Sequence, residues 1–417
     1  MSRVLIWKKK SPGSEYDLYR GIDCVQEYTQ PIQYNVGNRL WLQGLMSSID
    51  TGENEYTYLS SELTPDAINS GFDFIILPMA NIFNKLYQLN IRSLAEEFSS
   101  IRIPVYVIAC GAQAESFDAL DELVSQIGED SKRFISAIYA TGGEFALRGH
   151  FTKEFFVRLG FPSAVVTGCP SLYQMGRDFS VPVRKADPES IVPVFNGRID
   201  LIEKVMLHYS NSIYLDQDTL WSDLYAPRNH HPTFRNTLAF YHNNGAFPAE
   251  LLAQDRVRLI PDMHNWRSFL IDQQFTFAFG TRIHGNIMAI LSGIPAVVAA
   301  VDSRTREMAE FYDIPLVMPR QGQIYSLEEF AEIHDRADYT KFNQTFADKY
   351  DAYAAFLTDH KIVSQPNSVN RFFSHDNPYV PPLAAVNTAY FKQMTDTIKY
   401  ARPLLDLACF LADHRRR

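Results

Sequence analysis

The chain has 417 residues, 46% of them apolar, and a formal net charge of −9. That length and apolar content suffice for two cores rather than one, and the acidic balance speaks against a nucleic-acid partner, which needs a broad basic surface. Cys24, Cys110, Cys169 and Cys409 have no paired spacing, so neither a disulfide framework nor a cysteine zinc site is expected, and a reducing compartment fits.

Residues 4–7 read as a first strand. This apolar run ahead of Lys8, Lys9 and Lys10 is too short for a signal sequence, and no later run reaches membrane-spanning length, so a soluble, cytoplasmic protein is expected. Asn35, Val36, Gly37, Asn38 and Arg39 then lead into the apolar-periodic Leu40, Trp41, Leu45 and Met46. They are either an asparagine-capped helix start or a glycine-containing turn that holds a ligand against backbone amides. Strands follow at 72–77 and 103–109, the second closing on Cys110, Gly111, Ala112 and Gln113, with a helix over 91–98 between them. The alternation continues with a strand at 146–148, a helix at 152–159 and a strand at 164–167 that ends in Gly168, Cys169, Pro170 and Ser171. Repeated strand–helix alternation is the pattern of a doubly wound parallel sheet. Arg148, at a strand end, either faces a ligand crevice or pairs with Glu144 or Glu154 on the surface. Cys169 is read as a small buried thiol, not a nucleophile.

Residues 180–189, broken by Pro182 and Pro188, read as a linker. A second domain begins with a strand at 191–195 ending in Asn196, Gly197 and Arg198, then a helix at 201–209 and a strand at 213–215. His230 and His231 are adjacent, with no further ligand at metal spacing, and belong to a loop. A strand at 257–260 and a helix at 266–271 precede the most informative stretch, residues 275–306. There an aromatic strand ends at Gly280, Thr281 is the expected N-cap, a helix covers 287–291, Gly293 and Pro295 stop it, and a strand at 296–301 leads to Asp302 or Ser303 as the next cap. Arg282 and His284 are two residues apart, which on a regular helix points them about 200° apart. They share a ligand only at a helix tip, where free N–H groups, the dipole, a guanidinium and an imidazole converge on an anion. Gly280 and Gly285 let that ligand come close to the backbone. Farther on, Phe342, Phe346, Tyr350, Tyr353 and Phe356 recur at helical spacing as a packed face, 364–382 is loop-like, and 390–411, apart from Pro403, reads as a helix ending in Arg415, Arg416 and Arg417, which either lies across the domains, the commoner use, or touches an anionic membrane.

Three pieces together resemble the polysaccharide pyruvyltransferase family. They are Gly280-Thr281-Arg282-Ile283-His284-Gly285 with Gly293-Ile294-Pro295 and Asp302-Ser303-Arg304; Ala146-Leu147-Arg148 running through Thr152 and Leu159-Gly160 to Gly168-Cys169-Pro170-Ser171; and Asn35-Val36-Gly37-Asn38. The chain departs from that pattern at Asn38, where the family has Asp, and at Gly149, where it has an acidic residue. The resemblance implies an α/β fold of two Rossmann-like domains facing each other across a cleft, GT-B-like. Residues 1–182 would form the acceptor side, 189–335 the donor side and 336–417 a helical extension packed on both. It implies transfer of a pyruvyl group from phosphoenolpyruvate to two hydroxyls of a sugar, forming a cyclic ketal and releasing phosphate, with no metal or organic cofactor. On this basis Arg282 and Arg148 bind donor, and His284 is the catalytic acid and base, its ordinary pKa near 6.5 serving both roles. Gly280, Thr281, Ile283, Gly285, Ser303 and Arg304 complete the donor side, and Asn35, Gly37 and Asn38 the acceptor side. Partners would be phosphoenolpyruvate and a sugar acceptor; membrane contact through a lipid-linked acceptor and homo-oligomerisation stay open. Two other readings compete on the same architecture: a sugar-nucleotide glycosyltransferase, which needs a carboxylate for the donor ribose, and a non-catalytic assembly scaffold, against which intact Arg282 and His284 speak.

Overall fold

The structure, a computed structural model, describes residues 1–9, 37–60, 62–182, 190–217, 251, 254, 256–260 and 263–367. Asn35, the histidines at 230 and 231, most of the expected linker and the helix expected over 390–411 lie outside these residues.

The N-terminal sheet is built from β1 (Ser2–Lys9), α1 (Gly37–Ile49), β2 (Asn54–Leu59), α2 (Pro65–Gly71), β3 (Phe74–Pro78), α3 (Gln88–Phe98), β4 (Val105–Cys110), α4 (Leu120–Ala140), β5 (Glu144–Leu147), α5 (His150–Arg158) and β6 (Val165–Val166). Its strands are all parallel, in the order β2-β1-β3-β4-β5-β6. Apolar residues run continuously along β3 and β4 because helices cover both faces: Ile76 and Ile108 point into one apolar cluster, Ile75 and Val107 into the other. Three elements escape the sequence pattern. β2 is an edge strand whose polar and half-buried residues alternate without an apolar run, α2 starts from Thr64 as N-cap with Pro65 behind it, and α4 buries Leu123, Ile127, Phe134, Ile135 and Ile138 at helical spacing among many charges.

The second sheet comprises β7 (Pro193–Asn196), α6 (Ile199–His208), β8 (Ile213–Asp216), β9 (Val257–Leu259), α7 (Met263–Asp272), β10 (Phe277–Gly280), α8 (Ile283–Leu291), β11 (Ala296–Ala299), α9 (Ser303–Tyr312) and β12 (Leu316–Val317). Its order, β12-β11-β10-β7-β8-β9, is all parallel and is the doubly wound order of a Rossmann domain. The winding reverses between β7 and β10, so the crevice opens where Asn196 and Gly280 sit opposite each other at the strand ends. The expected pair of Rossmann-like domains is therefore present. α10 (Leu327–Asp335) and α11 (Thr340–Asp359) follow. α11 ties both halves together: Lys341 and Lys349 pair with Asp313, Arg177 forks onto Asp351 at 2.8 Å twice, and Tyr173 stacks on Tyr353.

One apolar cluster passes from the N-terminal sheet through α1 and α8 into the second sheet and α11, so the domains meet on a shared core and not only on polar loops. α9 is the other half of the seam. The Ser303 backbone N–H donates to Ala114 O at 3.1 Å and its Oγ accepts from Ala114 N at 2.8 Å. The Tyr312 hydroxyl accepts from Cys169 N at 2.6 Å and donates to Cys169 O at 2.7 Å. Both partners are buried, so Tyr312→Phe strands a buried N–H and a carbonyl across the seam. We expect it to cost about 1–3 kcal/mol, read as a lower denaturant midpoint with an unchanged slope.

Candidate active site

The helix tip carries the expected residues, with one correction. α8 begins at Ile283, and its N-cap is Arg282, in extended backbone at φ −90° and ψ 106°. Arg282 thus lies off the helix and His284 on its first turn, which removes the 200° conflict. Thr281 is not the cap. Its Oγ1 accepts from Arg198 N at 3.1 Å and its N–H donates to Asn196 O at 3.2 Å, so it stitches the turn to β7. Asn196 does the rest: its Oδ1 accepts from Arg282 N at 2.9 Å and its Nδ2 donates to Asn286 Oδ1 at 3.3 Å, while Asn286 Nδ2 donates to Gly280 O at 2.9 Å. A Cβ on Gly280 would fall 2.1 Å from Asn196 O, and one on Gly285 2.3 Å from Gln217 Nε2. Both glycines are therefore set by close approach to this amide cluster.

Around the tip, cations from both domains converge. Arg148, at the end of β5, is 1% exposed, and its Nε and Nη2 have no hydrogen-bond partner. Of the two readings of this arginine the surface pair is excluded: Glu144 accepts from Tyr139 and Phe145, and Glu154 pairs with Arg158. Its guanidinium lies 6.0 Å from the Trp41 ring on α1, and the missing side chain of Gly111 leaves room for its stem. From the second domain, Arg304 donates to Asp302 Oδ2 at 3.2 Å while its buried Nε has no partner. The fields of Arg148 and Arg282 both bear on Arg304, and those of Arg148 and Arg304 on His284. Two guanidinium groups with unmet donors beside an imidazole are chemically suited to hold an anion.

The electrostatics change one expectation. Burial first, then Arg148 and Arg304, hold His284 well below its ordinary pKa of 6.5. In the ligand-free protein the ring is neutral, and its buried Nε2 lacks a partner, so a histidine serving equally as acid and base does not describe this state.

The remaining expected residues divide. The Ile283 side chain is in the core, leaving its backbone N–H at the helix start. Ser303 joins the seam, and Asp302 caps α9 in a capping box with Thr305. Gly37 is buried and Asn38 exposed at the start of α1, the helix that packs against α8. Cys169 is buried, its sulfur accepting from Ser171 Oγ at 3.2 Å. The sequence marks Asn196 only as a strand end and Trp41 only as part of an apolar helix face, and it does not mark Asn286, Gln217 or Glu307 at all. Glu307 is 2% exposed and stands where a side chain on residue 149 would project: a Cβ on Gly149 would lie 2.4 Å from its Cγ. Burial lifts its carboxyl to about 7, against hydrogen bonds from Thr152 and the charge of Arg148.

Because the unfolded chain takes up a proton at an ordinary histidine before folded His284 does, this residue's contribution to stability is present above pH 6.5 and declines as pH falls below it. In an NMR titration the ring should be neutral at pH 6.5, where an ordinary imidazole is half protonated; a midpoint at or above that value contradicts the geometry.

No curated protein matches the chain. Among solved structures, the chain is similar to a putative UDP-N-acetylglucosamine 2-epimerase from Listeria monocytogenes, at 11% identity and a TM-score of 0.44, over 88% of this chain and 99% of that one. It is also similar to the UDP-GlcNAc 2-epimerase from Neisseria meningitidis, at 12% identity and a TM-score of 0.41, over 86% and 100%. A third is the glycosyltransferase SnogD from Streptomyces nogalater, at 10% identity and a TM-score of 0.30, over 84% and 94%. Residues 11–303, which include Arg148, Arg282 and His284, match the polysaccharide pyruvyl transferase family, and the chain belongs to that family.

Proposed function

We propose that the protein transfers the pyruvyl unit of phosphoenolpyruvate to two hydroxyls of one sugar residue in a polysaccharide or its precursor. The observation that carries this reading is the set of three arginines from two domains around a buried, neutral imidazole at a helix tip. Phosphoenolpyruvate presents a carboxylate and a phosphate, and two guanidinium forks with the α8 N–H groups suit that pair. Its negative charge opposes the field of Arg148 and Arg304, so donor binding raises the pKa of His284 and lets the ring acquire the proton it lacks in the free protein.

The reaction then balances as follows. His284 delivers a proton to the methylene carbon, a first sugar hydroxyl bonds to the adjacent carbon and loses its proton to the imidazole, and the C–O bond to phosphate breaks. The second hydroxyl bonds to the same carbon and its proton leaves with phosphate. Arg282, Arg148 and Arg304 stabilise the charge on the departing group, with Gly280, Thr281, Ile283, Gly285 and Ser303 shaping the turns that hold them. The reaction as written needs no metal or organic cofactor. We assign the acceptor to the α1 side, through Asn35, Gly37 and Asn38, and the donor to the second domain. Among the described residues no helix is long and apolar enough to cross a membrane; a cytoplasmic setting, where phosphoenolpyruvate is available, completes the reading.

The test is acceptor-dependent phosphate release from phosphoenolpyruvate over a broad sugar panel, together with mass spectrometry of the host's polysaccharide repeat with and without the protein. Loss of a pyruvyl ketal is expected; an unchanged repeat and no release from any acceptor sink the proposal. His284→Ala should lower kcat by about 10²–10⁴-fold. One observation favours a second reading, sugar-nucleotide transfer: Asp216, a buried carboxylate, ends β8 on the same sheet edge. Thermal stabilisation by uridine diphosphate but not by phosphoenolpyruvate would favour it.

A further inference from the structure

A buried arginine with unmet donors beside a buried carboxylate ordinarily closes on it as a bidentate pair. Here the two are close enough for the charge of Arg148 to bear on the carboxyl of Glu307, yet no ion pair forms between them. Both carboxylate oxygens go elsewhere: Oε1 accepts from Thr152 N at 2.5 Å and Oε2 from Thr152 Oγ1 at 3.0 Å. The Thr152 N–H lies in the first turn of α5, among the groups a helix leaves without an internal partner, and Gly149 as N-cap has no side chain to serve it. The Thr152 hydroxyl oxygen is occupied as well, accepting from Ala112 N at 2.9 Å, so its proton is directed at Glu307. The charge of Glu310 adds a smaller repulsion. Glu307 lies beyond residues 11–303, the span that matches the family.

We propose that Thr152 holds the Glu307 side chain away from Arg148, so that the guanidinium stays open to an incoming anion. Thr152 is then a positioning residue for the donor clamp, acting on Arg148 through the Glu307 carboxyl that it restrains. The proposal rests on the donor reading of Arg148. It makes a prediction that a merely structural role does not: the loss caused by removing the Thr152 hydroxyl is reversed by also removing the charge it restrains.

The experiment measures binding of phosphoenolpyruvate and, separately, of inorganic phosphate by calorimetry. Thr152→Val keeps shape and its own backbone N–H, leaves the Ala112 N–H unmet and frees Oε2 to turn onto Arg148; both anions should bind about ten-fold more weakly or worse. Thr152→Ser should match the wild type. The double variant Thr152→Val with Glu307→Gln should recover to within about three-fold of the wild type, because no carboxylate remains to occupy the fork. Glu307→Gln alone should bind at least as tightly as the wild type, and it stands as the test if Thr152→Val does not fold. Wild-type affinity in Thr152→Val, a double variant as weak as Thr152→Val, or a ten-fold loss in Glu307→Gln each overturns the proposal. A wild type that binds phosphate but not phosphoenolpyruvate sinks the pyruvyl reading and leaves the clasp to be judged by the phosphate data; binding neither overturns both.

Discussion

Like charges in a setting of low dielectric repel strongly and are costly to bury, and this chain places Arg304 within range of both Arg148 and Arg282, with Arg148 and Arg304 bearing on His284. Such a cluster does not persist on flexible loops. Each member here is fixed by something stiffer than itself: Arg148 by β5 and the space above Gly111, Arg282 by the Asn196 and Asn286 amides, and Arg304 by the capped first turn of α9. The repulsion is thus opposed by the folding free energy of two sheets and their shared core. An anion would relieve it, which suits the cluster to the donor role proposed for it.

α9 links the two domains to the chemistry. Its first two turns carry Arg304 beside His284, Ser303 onto the loop after β4, and Glu307 onto the start of α5, while Tyr312 at its far end grips Cys169. A shift of the domains therefore displaces Arg304 and loosens the surroundings of Arg148 together. The apolar cluster that runs between the sheets resists that shift, so preorganisation of the clamp and cohesion of the fold draw on the same contacts.

Much of the fold was legible because parallel strands buried on both faces must be apolar throughout; β3, β4, β10 and β11 all announce themselves this way, whereas β5 opens on the half-buried Glu144 and does so only in its last residues. β2 did not, since an edge strand has one open side and carries Asn54 and Glu55, and α4 hid its core stripe among charged residues. At the site, Arg282 and His284 were visible because the glycines around them mark a turn at a strand end. Thr281 was misread as a cap: its hydroxyl found a tertiary partner in Arg198 instead. Glu307 gave no local signal, sitting among Arg304, Arg306 and Glu310 as any exposed helix residue would.

Local chain chemistry, then, was enough to determine the alternation of strands and helices, the doubly wound class, and the turns from which Arg148, Arg282 and His284 project, because period, glycine placement and strand-end polarity are properties of neighbouring residues. Tertiary structure alone decided three things: that those residues meet across a seam, that burial and two guanidinium groups keep His284 neutral, and that a carboxylate more than 150 residues along the chain from Arg148 stands in the space left by Gly149. Each depends on distance and desolvation between segments remote in sequence, quantities fixed only when the two domains close on each other.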